Sequence, residues 1–105
     1  MRRRAVLWSA DAVDDLDSIA AYIAEDNPFA AERIAKAIRE AADDLGEAAT
    51  GRRGRTSGVY EKLVPSLPHI IAYALHSYSA RGEAVVILRV IHGARNWPEG
   101  GWPED

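Results

Sequence analysis

The sequence predicts an α+β fold: an N-terminal strand, then an α-helical hairpin packed on one face of a small, mainly antiparallel four-stranded sheet, in the order β-α-α-β-β-β. Three observations carry that expectation. Val85-Val86-Ile87-Leu88-Arg89-Val90-Ile91-His92, closed by Gly93, is an almost unbroken apolar run, the pattern of a strand buried on both faces. Two stretches around Asp26-Asn27-Pro28 repeat apolar residues at the helical period. Two further β-type runs precede the central one through short turns, as in an antiparallel meander.

Ala5-Val6-Leu7-Trp8 is the first strand. Ser9 stands at an N-cap position, with Asp11 in the first turn, where a carboxylate favours the positive end of the helix dipole. Leu16, Ile19, Ala20 and Ile23, with Ala12 one turn earlier, form the apolar stripe of a helix over 10–25; Asp14, Asp15, Asp17 and Ser18 lie elsewhere on the wheel. Asn27 caps a second helix that Pro28 opens. Its stripe is Phe29, Ile34, Ala37, Ile38, Ala41 and Leu45, and Gly46 is placed to end it. So short a connection makes the two helices an antiparallel hairpin. Residues 47–58 hold three glycines and three arginines, which reads as a mobile basic surface loop. Strands follow at 59–64 and 70–78, separated by Pro65-Ser66-Leu67-Pro68, and Ser79 to Glu83 turns the chain into the central strand. Residues 1–97 read as a single domain and 98–105 as an irregular tail.

A period of two sends Val86, Leu88, Val90 and His92 to one face of the central strand and Val85, Ile87, Arg89 and Ile91 to the other. One hairpin covers one face. With the helices assigned to the first set, Val85, Ile87 and Ile91 around Arg89 are left open; apolar side chains left open in this way mark a contact with a partner chain, the other reading being that the tail with Trp97 and Trp102 folds back as the cover.

Composition is that of an ordinary globular protein. There is no cysteine, hence no disulfide framework and no thiolate metal site, which fits a reducing cytoplasm. No apolar run is long enough to span a bilayer, and Arg2-Arg3-Arg4 is followed by too short an apolar stretch for a secretory signal. The formal net charge of −3 conceals a division: residues 9–50 carry eleven acids against three bases, residues 51–97 seven bases against two acids. A basic working surface in the C-terminal half is one reading and an ordinary solvated face the other. No cluster has metal-ligand spacing, so neither metal nor cofactor is expected.

With those elements in place, the chain resembles the ParE/RelE superfamily of bacterial type II toxins. The likeness runs through Trp8-Ser9-Ala10-Asp11-Ala12 with Asp15-Leu16 and Ile19, Tyr22-Ile23, and Ala30-Ala31. It continues through Gly51-Arg52-Arg53-Gly54-Arg55, Glu61-Lys62-Leu63-Val64 and Ile70-Ile71-Ala72-Tyr73, and ends in Ile87 to Arg95 with Trp97-Pro98. The resemblance implies a small toxin silenced by a co-expressed antitoxin that wraps a flexible segment around it, in agreement with an open sheet face. It implies no membrane association and no sequence-specific DNA binding without the antitoxin. Val85, Ile87, Arg89 and Ile91 are the expected antitoxin contacts; Arg53, Arg55, Arg95 and Trp97 are the expected target contacts.

The superfamily divides by target. ParE-like members poison DNA gyrase and are not nucleases. RelE-like members cut mRNA on the ribosome, which requires a base, an acid for the leaving oxygen and cations for the phosphorane charge. Arg95, His92 and Arg89 are the catalytic candidates if this chain is a nuclease, and Arg95 matches the place of a catalytic arginine. The resemblance also places Pro65 where those members carry a basic residue, Ile70 where they carry an arginine, and Gly101 near their catalytic tyrosine. Tryptophan, present at Trp97 and Trp102, has no titratable group to replace it. The two long helices are also more like the ParE branch. A gyrase poison is therefore the leading expectation, the ribosome-dependent endonuclease the alternative, and a member that has lost toxicity a third.

Overall fold

A computed structural model describes residues 3–54, 57–79 and 82–93. The elements are β1 (Ala5–Trp8), α1 (Ala10–Ala24), α2 (Pro28–Asp44), β2 (Arg52–Arg53), β3 (Tyr60–Leu63), β4 (His69–Ser79) and β5 (Gly82–His92). The strands form one sheet in the order β1-β5-β4-β3-β2. β1 lies parallel to β5 and every other pair is antiparallel. The expected order holds, with five strands instead of four. The extra strand, Arg52–Arg53, comes from the stretch read as a mobile loop; Arg55 and Thr56 lie outside the described residues.

Both helices start as the sequence dictates. Ala12 N donates to Ser9 Oγ at 3.1 Å and Ala30 N to Asn27 Oδ1 at 3.0 Å, each satisfying an orphan N–H of a first turn. Pro28 occupies the start of α2, where its missing N–H costs nothing. Leu45, not Gly46, is the C-cap of α2, in right-handed helical conformation. The need for glycine at 46 is a close approach: a Cβ there would lie 2.7 Å from Arg4 O and 3.0 Å from Val6 Cγ2. Arg4 N in turn donates to Gly46 O at 2.7 Å, so the end of α2 and the start of β1 touch backbone to backbone. Gly46→Ala is expected to push β1 away and cost roughly 1–3 kcal/mol, read as a lower urea midpoint at unchanged m-value.

The helices cover the sheet through one core. Ala12 and Leu16 of α1 and Ala35, Ile38, Ala41 and Ala42 of α2 meet Ile71, Tyr73, Val85, Ile87 and Val90 of β4 and β5. Tyr73 is closed in by a hydrogen bond from its hydroxyl to Thr50 O at 2.6 Å, and its ring stacks on Tyr60 with centroids 5.5 Å apart. Burial, then Tyr60, raises the Tyr73 pKa, against a smaller opposing effect of Arg4.

The face assignment of the central strand is corrected. Val85 and Ile87 are fully buried under the helices, whereas Val86, paired with Ala74 and Leu7, lies on the opposite face. The alternation is also interrupted: Tyr73 pairs with Ile87 but Ala72 pairs with Arg89, so Leu88 is an extra residue and the phase shifts there. Val90 consequently joins the helix-side core that Val85 and Ile87 occupy. Phe29 departs from the expected stripe as well; it is 79 % exposed on the first turn of α2.

Candidate functional site

Three places in this frame concentrate chemistry: the sheet face away from the helices, the edge of β5 where α1 begins, and the end of the sheet where β4 starts and β5 stops. Register puts Leu7 beside Val86, Val86 beside Ala74, Leu63 beside Ile70, and Ile70 beside Ile91. These side chains share the outer face, and both helices pack on the other one. Leu7 is 53 % and Leu63 63 % exposed, one toward each side of the sheet. Beside Leu63 lies a groove of about 330 Å³ lined by Gly51, Arg52, Glu61, Leu63 and Ile70. Glu61 is buried at its base, and the exposed Arg52 guanidinium approaches it to 3.8 Å.

Glu61 also explains the glycine-rich sequence around β2. A Cβ on Gly54 would meet Glu61 Cγ and Oε2 at 3.1 Å, and one on Gly51 would meet Glu61 O at 2.5 Å. Gly51 further adopts a φ of 120°, a region that side-chain-bearing residues avoid. The glycines let the segment lie directly on β3, with Arg52 opposite Glu61 and Arg53 opposite Tyr60. Arg53 is therefore exposed on a short edge strand.

At the second place, β1 ends at Trp8 opposite Ile87, and α1 takes over as hydrogen-bonding partner of the β5 edge. Ser9 N donates to Ile87 O at 2.9 Å, and Ser9 Oγ donates to Leu88 O at 3.0 Å. Six residues on, Asp15 accepts from Arg89 Nε at 2.7 Å, Arg89 Nη2 at 3.0 Å and Val90 N at 2.9 Å. A single carboxylate thus satisfies a guanidinium fork and a strand N–H together. Arg89, expected to wait for an acidic group of a partner, is engaged within its own chain.

At the third place His69 opens β4 directly opposite His92, which closes β5. Their rings meet edge to face with centroids 5.2 Å apart. His69 is buried, and its Nδ1 has no hydrogen-bond partner. Burial first, and then His92, lower its pKa below the ordinary 6.5. Since the unfolded chain binds this proton more readily, folding stability is full above about pH 6.5 and is lost as pH falls through the lowered folded-state value. Urea unfolding in chelator-containing buffer should show this as a fall in stability once pH drops below about 6.5, at no more than ~1.4 kcal/mol per pH unit. His69→Gln should flatten that part of the profile.

The sequence-predicted residues are thus dispersed. Val85 and Ile87 are core, Arg89 is paired with Asp15, and Ile91 is half-buried on the outer face beside Ile70. His92 is half-buried beside His69, and Arg53 is exposed on β2. Arg55, Arg95 and Trp97 lie outside the described residues, as do Gly101, Trp102 and the 98–105 tail. Sequence reasoning missed Leu7, Leu63 and Ile70 as outer-face residues, together with the Asp15 and His69 contacts. Among the described residues no group of three or more His, Asp or Glu side chains could hold a metal, and no helix is long and apolar enough to cross a membrane.

Comparison with known proteins agrees with this architecture. The family model for the ParE toxin of the type II toxin–antitoxin system parDE matches residues 6–97. The chain is 37 % identical over 100 residues to Y4kP, a toxin candidate of Sinorhizobium fredii, covering 94 % of this chain and 98 % of that protein. It is 38 % identical over 91 residues to the toxin RelE2 of Caulobacter vibrioides, covering 86 % and 96 %. Among solved structures it is similar to a chain of the chromosomal ParDE toxin–antitoxin system from P. aeruginosa. That match has a TM-score of 0.72 and 23 % identity, covers 86 % of this chain and 96 % of that one, and speaks to the fold.

Proposed function

The chain belongs to the ParE toxin family of type II toxin–antitoxin systems, and from that premise we propose that it is a cytoplasmic toxin that inhibits DNA gyrase by binding and is silenced by a cognate antitoxin. The observation that carries the choice of target is the composition of the described outer face. Leu7, Leu63, Ile70 and Val86 stand there, and Pro65 follows in an exposed turn. Cleavage of mRNA through the 2′-hydroxyl needs cations and a proton donor around the phosphate. Ile70 supplies neither, and the guanidinium of Arg89 is already neutralised by Asp15. A surface of this kind supports recognition of another protein better than catalysis on RNA. Arg53, with Arg55, Arg95 and Trp97, is assigned to gyrase; the outer face, through Leu7, Leu63, Ile70 and Ile91, is assigned to the antitoxin.

The endonuclease reading keeps two supports, the 38 % identity to a protein named RelE2 and Arg95 at the place where the resemblance puts a catalytic arginine. The two readings part in a cell that expresses the chain without antitoxin. DNA damage signalling and filamentation, with protein synthesis continuing, support the gyrase target. Immediate arrest of translation without DNA damage contradicts it, and normal growth points to a member that has lost toxicity. Rescue by co-expression of the protein encoded beside it tests the antitoxin assignment separately.

A further inference from the structure

We propose that His69 and His92 form a binding site for one divalent transition-metal ion of the zinc, nickel and copper class, clamping the start of β4 to the end of β5. Position comes first. Gly93 N donates to Pro68 O, the hydrogen bond that flanks the His69–His92 pair. That makes His69 and His92 a non-hydrogen-bonded cross-strand pair, the arrangement in which opposite side chains of an antiparallel ladder stand closest.

Separation agrees. A metal–nitrogen bond of about 2.0–2.1 Å places an imidazole centroid about 3.2 Å from the ion. Two rings on one tetrahedral ion then have centroids about 5.2 Å apart. The observed separation is 5.2 Å. The site requires one nitrogen of each ring to turn toward a common point between them.

The third argument is the state of His69 itself. It is 4 % exposed, and its Nδ1 is buried with no hydrogen-bond partner. Leaving a buried ring nitrogen without a partner carries a desolvation cost, and an ion is one of the few things that resolves it. Imidazole ligates in its neutral form, the form that burial favours for His69. His92 is half-buried, at the rim, which gives the ion a way in. Two protein ligands leave the other positions to water, so micromolar affinity is expected and not that of a closed structural site. Zinc, nickel and copper suit imidazole donors, and calcium and magnesium do not.

The test uses the full, untagged chain. Zn²⁺ is titrated calorimetrically, and Cu²⁺ is followed by electron paramagnetic resonance for coupling to ring nitrogen. The expected result is one ion per chain at micromolar concentration, with nitrogen coupling on copper. His92→Gln, at the rim, should weaken binding at least tenfold. His69→Gln should do the same, and its far-UV circular dichroism shows whether it remains folded. His76→Gln is the control: His76 is the third histidine of the chain, is exposed, and pairs with Ala84 far along the strands. Failure to bind below millimolar metal would overturn the proposal. So would binding that survives His92→Gln unchanged or is lost in His76→Gln. None of these outcomes depends on which cellular target the toxin has.

Discussion

Asp15→Ala is expected to be the most destabilising single change outside the apolar core, at about 3 kcal/mol. Its carboxylate holds three donors at once, Arg89 Nε, Arg89 Nη2 and Val90 N. Both side chains of the pair are largely withdrawn from water, 24 % exposed for Arg89 and 17 % for Asp15. Removing the acid takes two charge-assisted hydrogen bonds from a largely withdrawn guanidinium and strips the Val90 N–H of its acceptor. Breaking a buried pair from one side typically costs 3–5 kcal/mol, and the partial exposure here argues for the lower end. Urea denaturation measures the effect. Arg89→Met should cost less, because Asp15 retains the Val90 N–H, and the double variant should lose less than the sum of the singles. Additive losses would mean that the pair contributes no coupling.

Leu7→Asp combined with Leu63→Asp should cut antitoxin affinity at least a hundredfold while leaving the fold intact. Each leucine is more than half exposed in the isolated chain, so neither aspartate enters the core. Covering a leucine is worth about 1.5–3 kcal/mol to the partner, and a carboxylate in its place must be desolvated in addition. Because one residue stands on β1 and the other on β3, a partner laid across the outer face meets both. Calorimetry with the purified antitoxin measures the loss, and co-expression should show toxicity returning despite the antitoxin. Unchanged affinity would remove the outer face from the interface. Val85→Asp serves as a contrast: it is expected to unfold the chain, because Val85 is fully buried under the helices.

The local signals in the sequence were sufficient for the hairpin. Ser9 and Asn27 cap where their side chains suggest, and Pro28 stands where its ring is harmless. Element order follows from the same signals. The central strand was harder because it is apolar on both faces: 85–88 contains no polar side chain to set the phase. The extra residue at Leu88 then defeats any strict period of two. Arg89 looked like an open charge because its partner lies 74 positions away, on the flank of a helix whose acids all read as solvated. Phe29 fits the apolar period of α2, yet it is 79 % exposed while Ala31 of the same turn is buried. Gly51 and Gly54 signalled a loop, but close approach to Glu61 requires them as much as flexibility would. The His69–His92 contact joins residues 23 positions apart through a register that only the folded sheet defines.

The most direct test of the gyrase assignment is a supercoiling assay with purified gyrase, ATP and this chain, run beside an in vitro translation reaction with primer extension on the mRNA. The assignment predicts lost supercoiling with trapped cleaved DNA, intact mRNA, and recovery of supercoiling with Arg53→Glu, which alters only an exposed side chain of the edge strand. Codon-phased cuts in the mRNA with gyrase unaffected would contradict it and make the chain a ribosome-dependent endonuclease.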